Sequence, residues 1–570
     1  MLPGWLPGRR ASVMGCFLLV ALVLIGHAVN LQLTKGDFLQ SHGDARSLRV
    51  IATEAHRGMI TDRNGEPMAI STPVNSVWAN PKILIEHKDR WAELAKILEL
   101  PKADLDMRLQ PRTPKTFVYL RRQITPDIAS AVTAAAIPGV NLTNEYRRYY
   151  PAGEVAANML GFTNVDDRGQ EGIELAFDAT LRGTPGLDRV VQDRLGRVVE
   201  HVERVRPVAP GRDLALSIDR RLQYFAYREL KKAVTQRNAA GGLMVILDAH
   251  TGEVLAMVNQ PSYNPNNRGQ FRGENFRNRT VTDLFEPGST IKPFTVAAGL
   301  ESGLFKPTTM INCQAGSFRG HPVKDVHPNG MLSVAGILQK SSNVGVTKIA
   351  LAIEPEQFWT VLNRAGFGQP SGIEFPGEIS GRLEPYRNWR GTDVVSLSYG
   401  YFTNITAIEL ARAYGVFASG GLLRPVTILK QDHPVPGERV MPEATALAVR
   451  EMLQAVTEVG GTAKAAAVEG YLVAGKTGTV KKNNDSGYTE KSYRSIFAGF
   501  IPASAPRLIG VVVIDDPQGT EFFGGLVAAP VFASVMHEAA RLFNLTPDRA
   551  LAEGGNGTHP PGWPVAIKTP

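Results

Sequence analysis

Four textures of hydrophobic and polar residues follow one another along the chain. The first is an uncharged apolar run from Val13 to Val29, seventeen residues preceded by Arg9 and Arg10. As a helix it would measure about 26 Å, or about 31 Å if continued to Leu33, which is enough to cross a bilayer. Positive charge ahead of such a segment predicts a cytoplasmic N-terminus and an exported remainder. The small residues of Gly26-His27-Ala28 permit a competing reading, a cleaved signal peptide.

The second texture is mixed. Arg57–Gly65 predicts a short strand and an Asn64-Gly65 turn, and residues 81–140 read as mainly helical, at Trp91–Leu98 and Ile128–Ala136, between several prolines. The third begins near Pro207–Gly211. An alternating strand over Asp213–Ile218 and a helix over Arg221–Arg237 lead to two apolar runs, Gly241–Asp248 and Glu253–Asn259, joined as a hairpin by Ala249–Gly252. Helical signals dominate residues 281–470, and three more strands are expected at Tyr471–Val480, Ser495–Ile501 and Leu508–Ile514. Strands from both ends of a domain with helices inserted between them predict an α+β fold, and short turns among the late strands predict antiparallel pairing. The fourth texture is a Gly- and Pro-rich tail, Leu551–Pro570, expected to be disordered.

The boundaries that follow are a tail over 1–12, a membrane anchor over 13–33, an N-terminal domain over 34–210, a second domain over 211–545 and a disordered end over 546–570. Length agrees, since 570 residues exceed what one core organises. A formal charge of +8 is basic, but no dense Lys/Arg run with interleaved aromatics occurs, which argues against a nucleic-acid partner. Cys16 and Cys313, the only cysteines, would have to pair across the membrane boundary, so no disulfide is expected. His537-Glu538 starts a zinc-protease-like string, but Arg541 stands where its second histidine belongs, and neither metal nor cofactor is expected.

Chemistry concentrates in Glu286–Lys292. Ser289 is the only serine with a lysine three positions on, at a spacing that brings two helical side chains onto one face, so the amine of Lys292 can reach the hydroxyl. Pro287-Gly288 interrupts what precedes, and the apolar run after Pro293 predicts a buried helix starting near Ser289. Pro293 offers no N–H to the Ser289 carbonyl, so the first turn cannot be regular. A capping serine beside a solvated lysine would give the same tetrad, and Ser341-Ser342-Asn343 alone is equally weak, being matched by Ser262-Tyr263-Asn264. Lys476-Thr477-Gly478-Thr479, inside a strand-like run, completes an ordered set of three.

That ordered set resembles the active-site signature of penicillin-binding proteins and serine β-lactamases. Over nearly its whole length the sequence is similar to class B penicillin-binding proteins of the division branch, the FtsI or penicillin-binding protein 3 family. Arg57–Gly65, Arg147–Pro151, Phe497–Phe500, Gly524-Gly525 and Val527–Pro530 also carry the likeness. The resemblance implies a single transmembrane helix, an elongated pedestal domain for docking and a transpeptidase domain whose five-stranded antiparallel sheet is flanked by helices. It implies an inner-membrane protein with a periplasmic catalytic domain that cross-links D-Ala-D-Ala stem peptides of peptidoglycan at the septum. β-Lactams would acylate it, and its partners would be a polytopic glycan polymerase and other division proteins.

Ser289 would be the nucleophile and Lys292 its base, with Lys476 the cation that lowers the pKa of Lys292. Ser341 would relay a proton, and Asn343 would orient Lys292 and the substrate amide. Thr477 or Thr479 would bind the terminal carboxylate with Lys476, Gly478 would allow close approach of the substrate, and the N–H groups of Ser289 and Thr479 would form an oxyanion hole. Glu384 in Glu384–Asn388 superficially matches the glutamate loop of a hydrolytic β-lactamase. Two rival readings fit the same three motifs, a D,D-carboxypeptidase and a β-lactam-sensing or scaffold paralogue. Ser398–Ala407 departs from the Gly-x-Gly pattern usual before a Thr-Pro pair, which leaves a principal division enzyme and a conditional paralogue both open.

Overall fold

A computed structural model describes residues 7–35, 48–109, 117–193, 198–267, 273–484 and 487–549. The expected disorder of 551–570 falls outside them. Contacts divide the chain into two units, and it passes between them five times: residues 1–58, 71–147 and 182–212 form the first, and 59–70, 148–181 and 213–570 the second. By contacts, then, each unit is built from three separate stretches in an interleaved arrangement. Its cause is packing, because Ile60, Met68, Met159, Leu160 and Ile173 are fully buried in the core of the second unit. No periodicity in these short stretches distinguishes which of two cores they serve.

The first unit opens with a helix over Pro7–Val29, and the apolar stretch Ala11–Leu33 is long enough to cross a membrane. None of that stretch is buried, with Phe17 72% and Leu18 65% exposed, so it finds no apolar partner among the described residues. A separate core gathers Val77, Leu84, Leu94, Leu98, Leu105, Leu120 and Val132. The mainly helical reading of 81–140 needs correction here, because Val118–Ile124 is a strand between the helices Trp91–Ile97 and Pro126–Ala135. Arg121 and Arg122 break the alternation that would have revealed it. Polar contacts hold this strand in place: Arg122 pairs with Glu145 at 2.9 Å, and Ser76 donates to the same carboxylate at 2.5 Å. A ribbon of Leu48–Thr53, Gly186–Gln192 and Val198–Arg206 completes the unit.

In the second unit, helix α1 (Arg220–Gln236) is capped by the Asp219 carboxylate, which accepts the N–H groups of Arg221 and Leu222. Strands β1 (Gly241–Asp248) and β2 (Val254–Gln260) follow as the expected hairpin. The inserted helices include α2 (Lys292–Glu301), α3 (Val334–Lys340), α4 (Asn343–Ala352), α5 (Gly391–Ser398), α6 (Ala407–Ala418) and α7 (Glu443–Thr457). Strands β3 (Ala474–Asn484), β4 (Gly487–Ile501) and β5 (Leu508–Asp515) precede α8 (Gly524–Leu542). The sheet order is β2-β1-β5-β4-β3, antiparallel throughout, with β3 at one edge.

Both sheet faces are covered. Gly510 abuts Phe532 and Met536 of α8, while its neighbour Ile509 touches α6 at Gly415. Residues so enclosed have no solvent face, and every residue of β1, β2 and β5 is buried, which is why these strands read as unbroken apolar runs. The alternating strand expected over Asp213–Ile218 shrinks to Leu214–Ala215. The β3–β4 hairpin is longer than expected, since its backbone pairing continues through Lys481–Tyr493 to Asn484–Gly487, where the sequence turns polar.

Candidate active site

The Ser289 segment is a tight turn, not the start of the helix. Gly288–Ile291 forms one 3-10 turn, the Lys292 N–H bonds the Ser289 carbonyl, and α2 begins at Lys292. Pro293 enforces this by denying the Ser289 carbonyl its α-helical donor. The turn is braced from three sides. The Gly288 N–H donates to Gly400 O at 3.0 Å, and a Cβ on Gly400, whose φ is +95°, would lie 2.0 Å from Gly288 O. Tyr414 of α6 donates its fully buried hydroxyl to Thr290 O at 2.8 Å. From the third side comes β3, where a Cβ on Gly478 would meet Pro287 O at 3.0 Å and Thr290 Cγ2 at 3.1 Å. The need for glycine at 478 therefore includes close approach of the strand to the serine turn, beyond any approach of substrate.

Lys292 is completely buried at the opening of α2. Its Nζ donates to Ser341 O at 2.6 Å and Asn343 Oδ1 at 2.7 Å, and lies 3.2 Å from Ser341 Oγ. No hydrogen bond joins it to Ser289, so the direct amine–hydroxyl contact expected from the spacing is replaced by contacts to the second motif. Ser341 owes its place to an unusual backbone: it caps α3 in the left-handed region, at φ 56°. Asn343 opens α4 and donates its Nδ2 to Lys324 O at 3.1 Å.

Lys476, also fully buried, donates to the same Ser341 Oγ at 2.9 Å. The Ser341 hydroxyl thus meets two amines. Burial pushes the Lys476 amine down to about 7. Burial also pushes Lys292 well below its ordinary value, the charge of Lys476 pushes it further, and Asp325 pulls in the opposite direction. Thr477 and Thr479 line a cleft of about 530 Å³ together with Ser289, Ser341 and Asn343. Thr479 Oγ1 accepts the Gly524 N–H at 3.0 Å, which leaves its proton free to donate.

Of the eight residues singled out from the sequence, five line this cleft, and Lys292 at the opening of α2 with Lys476 and Gly478 of β3 lie beside it. Asp325 was not foreseen. It accepts from Ser342 Oγ at 2.7 Å and Val344 N at 3.0 Å, fixing the loop between Ser341 and α4. It lies in a short loop without a motif, and no local signal could have marked it. Tyr399, Tyr401, Phe523 and Leu526 add an apolar rim. Glu384 is bound to Arg382, and it is not among the residues that line the cleft.

Two buried lysines sharing a serine hydroxyl beneath an edge strand, with a second serine at the cleft, define a serine-type transpeptidase of the penicillin-binding class. A model of the penicillin-binding protein transpeptidase domain matches residues 242–537, and one of the penicillin-binding protein dimerisation domain matches 52–216. The peptidoglycan D,D-transpeptidase FtsI of Escherichia coli K12 is 44% identical, over 96% of this chain and 93% of that protein. A probable peptidoglycan D,D-transpeptidase, PbpC of Pseudomonas aeruginosa, is 42% identical over 95% and 96% of the two chains. The apo transpeptidase domain of Burkholderia pseudomallei penicillin-binding protein 3 superposes with a TM-score of 0.55 at 40% identity, covering 59% of this chain and 98% of that one. The chain belongs to the penicillin-binding protein transpeptidases, in their FtsI-type D,D-transpeptidase group.

Proposed function

We propose that this protein is a peptidoglycan D,D-transpeptidase acting through a Ser289 acyl-enzyme, anchored in the inner membrane by its N-terminal helix with the catalytic unit in the periplasm. The observation that carries the reading is the placement of Lys292 Nζ between Ser341 and Asn343, with Lys476 bonded to the Ser341 hydroxyl. A neutral amine has two protons, and two acceptors at 2.6 and 2.7 Å take both. Its lone pair is left to receive a proton. Holding an ordinary lysine neutral at pH 7 costs about 4.6 kcal/mol, which burial beside a second cation offsets.

An extended D-Ala-D-Ala terminus pairs with the free edge of β3, its carboxylate held by Lys476 with Thr477 or Thr479. Ser289 Oγ attacks the penultimate carbonyl carbon as Lys292 takes the hydroxyl proton, and the N–H groups of Ser289 and Thr479 stabilise the oxyanion. The carbon–nitrogen bond to the last D-Ala breaks, and Ser341 passes the proton to the leaving amine. An amine of a neighbouring stem then attacks the ester, forms the cross-link and returns the proton to Ser289. Asn343 orients Lys292 and the substrate amide. β-Lactams follow the first half of this path. Glu384, the candidate for a hydrolytic base, is bound to Arg382 and is not among the residues that line the cleft.

Residues 34–210 serve in this proposal as the docking domain for a polytopic glycan polymerase and other division proteins at the septum. The catalytic assignment is tested by labelling the purified protein with a fluorescent penicillin, and by mass spectrometry of product made from a lipid-linked precursor with a partner polymerase. Labelling lost in Ser289→Ala, slow release of label and a D,D-cross-linked product are the expected results. Labelling that persists in Ser289→Ala would place the nucleophile elsewhere, and release of D-Ala without cross-links would assign a carboxypeptidase.

A further inference from the structure

Behind the site lie three hydroxyls, all completely buried. Thr295 follows Lys292 by three residues in α2, and Thr347 follows Asn343 by four in α4, spacings that place each about one turn behind the residue it follows. Both meet at Ser398, the last residue of α5. Thr295 Oγ1 donates to Ser398 O at 2.9 Å, Thr347 Oγ1 lies 3.1 Å from Ser398 Oγ, and Ser398 Oγ donates to Val395 O at 2.6 Å. With the only proton of Ser398 directed at Val395, Thr347 is the donor to it. None of the three side chains is exposed to solvent.

Apolar contact alone would hold α2 against α4, but it leaves small slides and rotations cheap. Directional bonds between buried hydroxyls do not, because any shift leaves a polar group unpaired away from water. Lys292 and Asn343 are the first residues of the two helices, so a slide of one helix against the other appears directly in the 2.7 Å contact between Nζ and Oδ1. Ser398 also leads into Gly400, whose carbonyl holds the Gly288 N–H of the serine turn.

We propose that Ser398 is a positioning residue for acylation, tying α2 to α4 one turn behind Lys292 and Asn343 and so fixing the amine of the first against the amide of the second. This rests on the assignment of Lys292 as proton acceptor. The test compares full-length protein in detergent with Ser398→Ala, Thr347→Val and the conservative Thr347→Ser. Acylation by a fluorescent penicillin is resolved into its saturating rate and its half-saturating concentration, alongside the melting midpoint. Ser398→Ala and Thr347→Val should lower the saturating rate about 5- to 20-fold while the half-saturating concentration stays within about twofold, and Thr347→Ser should restore the rate.

Saturating rates equal to wild type per folded molecule, whatever the melting midpoint does, would overturn the proposal and leave the trio a packing device. Thr347→Val, which keeps the side-chain volume, carries the test should Ser398→Ala not fold. Ser289→Ala and Lys292→Met run alongside, so failure of the underlying assignment is separable. Label taken up by Ser289→Ala would refute the nucleophile, and acylation of Lys292→Met at the wild-type rate would refute the base; either result would remove the positioning role with it.

Discussion

The opening of helix α2 and the beginning of edge strand β3 each bury one lysine, and the two amines differ in a way that assigns their work. Both are inaccessible to solvent, and their hydrogen-bond partners among the described residues are all neutral oxygens. Lys476 is lowered by burial alone, to about 7, whereas Lys292 is lowered by burial and by the added repulsion of Lys476. As pH rises, Lys292 gives up its proton first and Lys476 remains the cation. Two like residues in one dry site become a base and a carboxylate anchor through their order of titration.

The largest blow to this asymmetry should come from Lys292→Met, expected to lower penicillin acylation by roughly 10³-fold, read by stopped-flow labelling. The same variant should be the more stable protein at neutral pH. In the unfolded chain lysine is charged below about 10.4, while in the fold Lys292 is neutral down to a much lower pH, so the unfolded state binds more protons across that window. The wild type therefore gains stability as pH rises towards 10.4. Lys292→Met should show an advantage on the order of 1–3 kcal/mol at pH 7 that fades above that value, measured by denaturant unfolding.

Removing the cation instead, in Lys476→Met, should cost roughly 10- to 100-fold in acylation and, by relieving repulsion, move the acid limb of the rate–pH profile upward. In the wild type the alkaline limb of the free enzyme should fall near pH 7, where Lys476 loses its charge. Asp325→Asn should move the acid limb the other way, because the carboxylate favours the charged form of Lys292. An acid limb unmoved by both variants would show that Lys292 is not the group titrating. The smallest effect is expected for Tyr414→Phe, which frees one buried carbonyl beside the nucleophile and should slow acylation about three- to tenfold. An unchanged rate would mean that Gly400 and β3 suffice to hold the turn.

Much of this was legible without coordinates, for identifiable reasons. The three motifs are short and local, and the enclosed strands announce themselves as unbroken apolar runs such as Leu243–Leu247. The irregular first turn was foreseen from Pro293, because a missing N–H is a covalent fact. What the sequence hid depends on distance. Lys292 turns to Ser341 and Asn343 rather than Ser289 because α3 ends in a left-handed serine that presents its carbonyl, a backbone choice that no residue spacing announces. Asp325 and Tyr414 act on segments remote in the chain. Val118–Ile124 was hidden because its core residues Leu120 and Ile124 are separated by Arg121, Arg122 and Gln123, with Arg122 paired to Glu145.

The interleaving of the two units carries a consequence for biogenesis. A polypeptide emerges from the ribosome N-terminus first, so Ile60, Met68, Met159 and Leu160 leave the tunnel well before the sheet strands at 241–260 and 474–515 that complete their shared core. These early segments must wait, greasy and unsheltered, for nearly the entire remaining synthesis, and a holdase acting on the nascent chain would find its targets there.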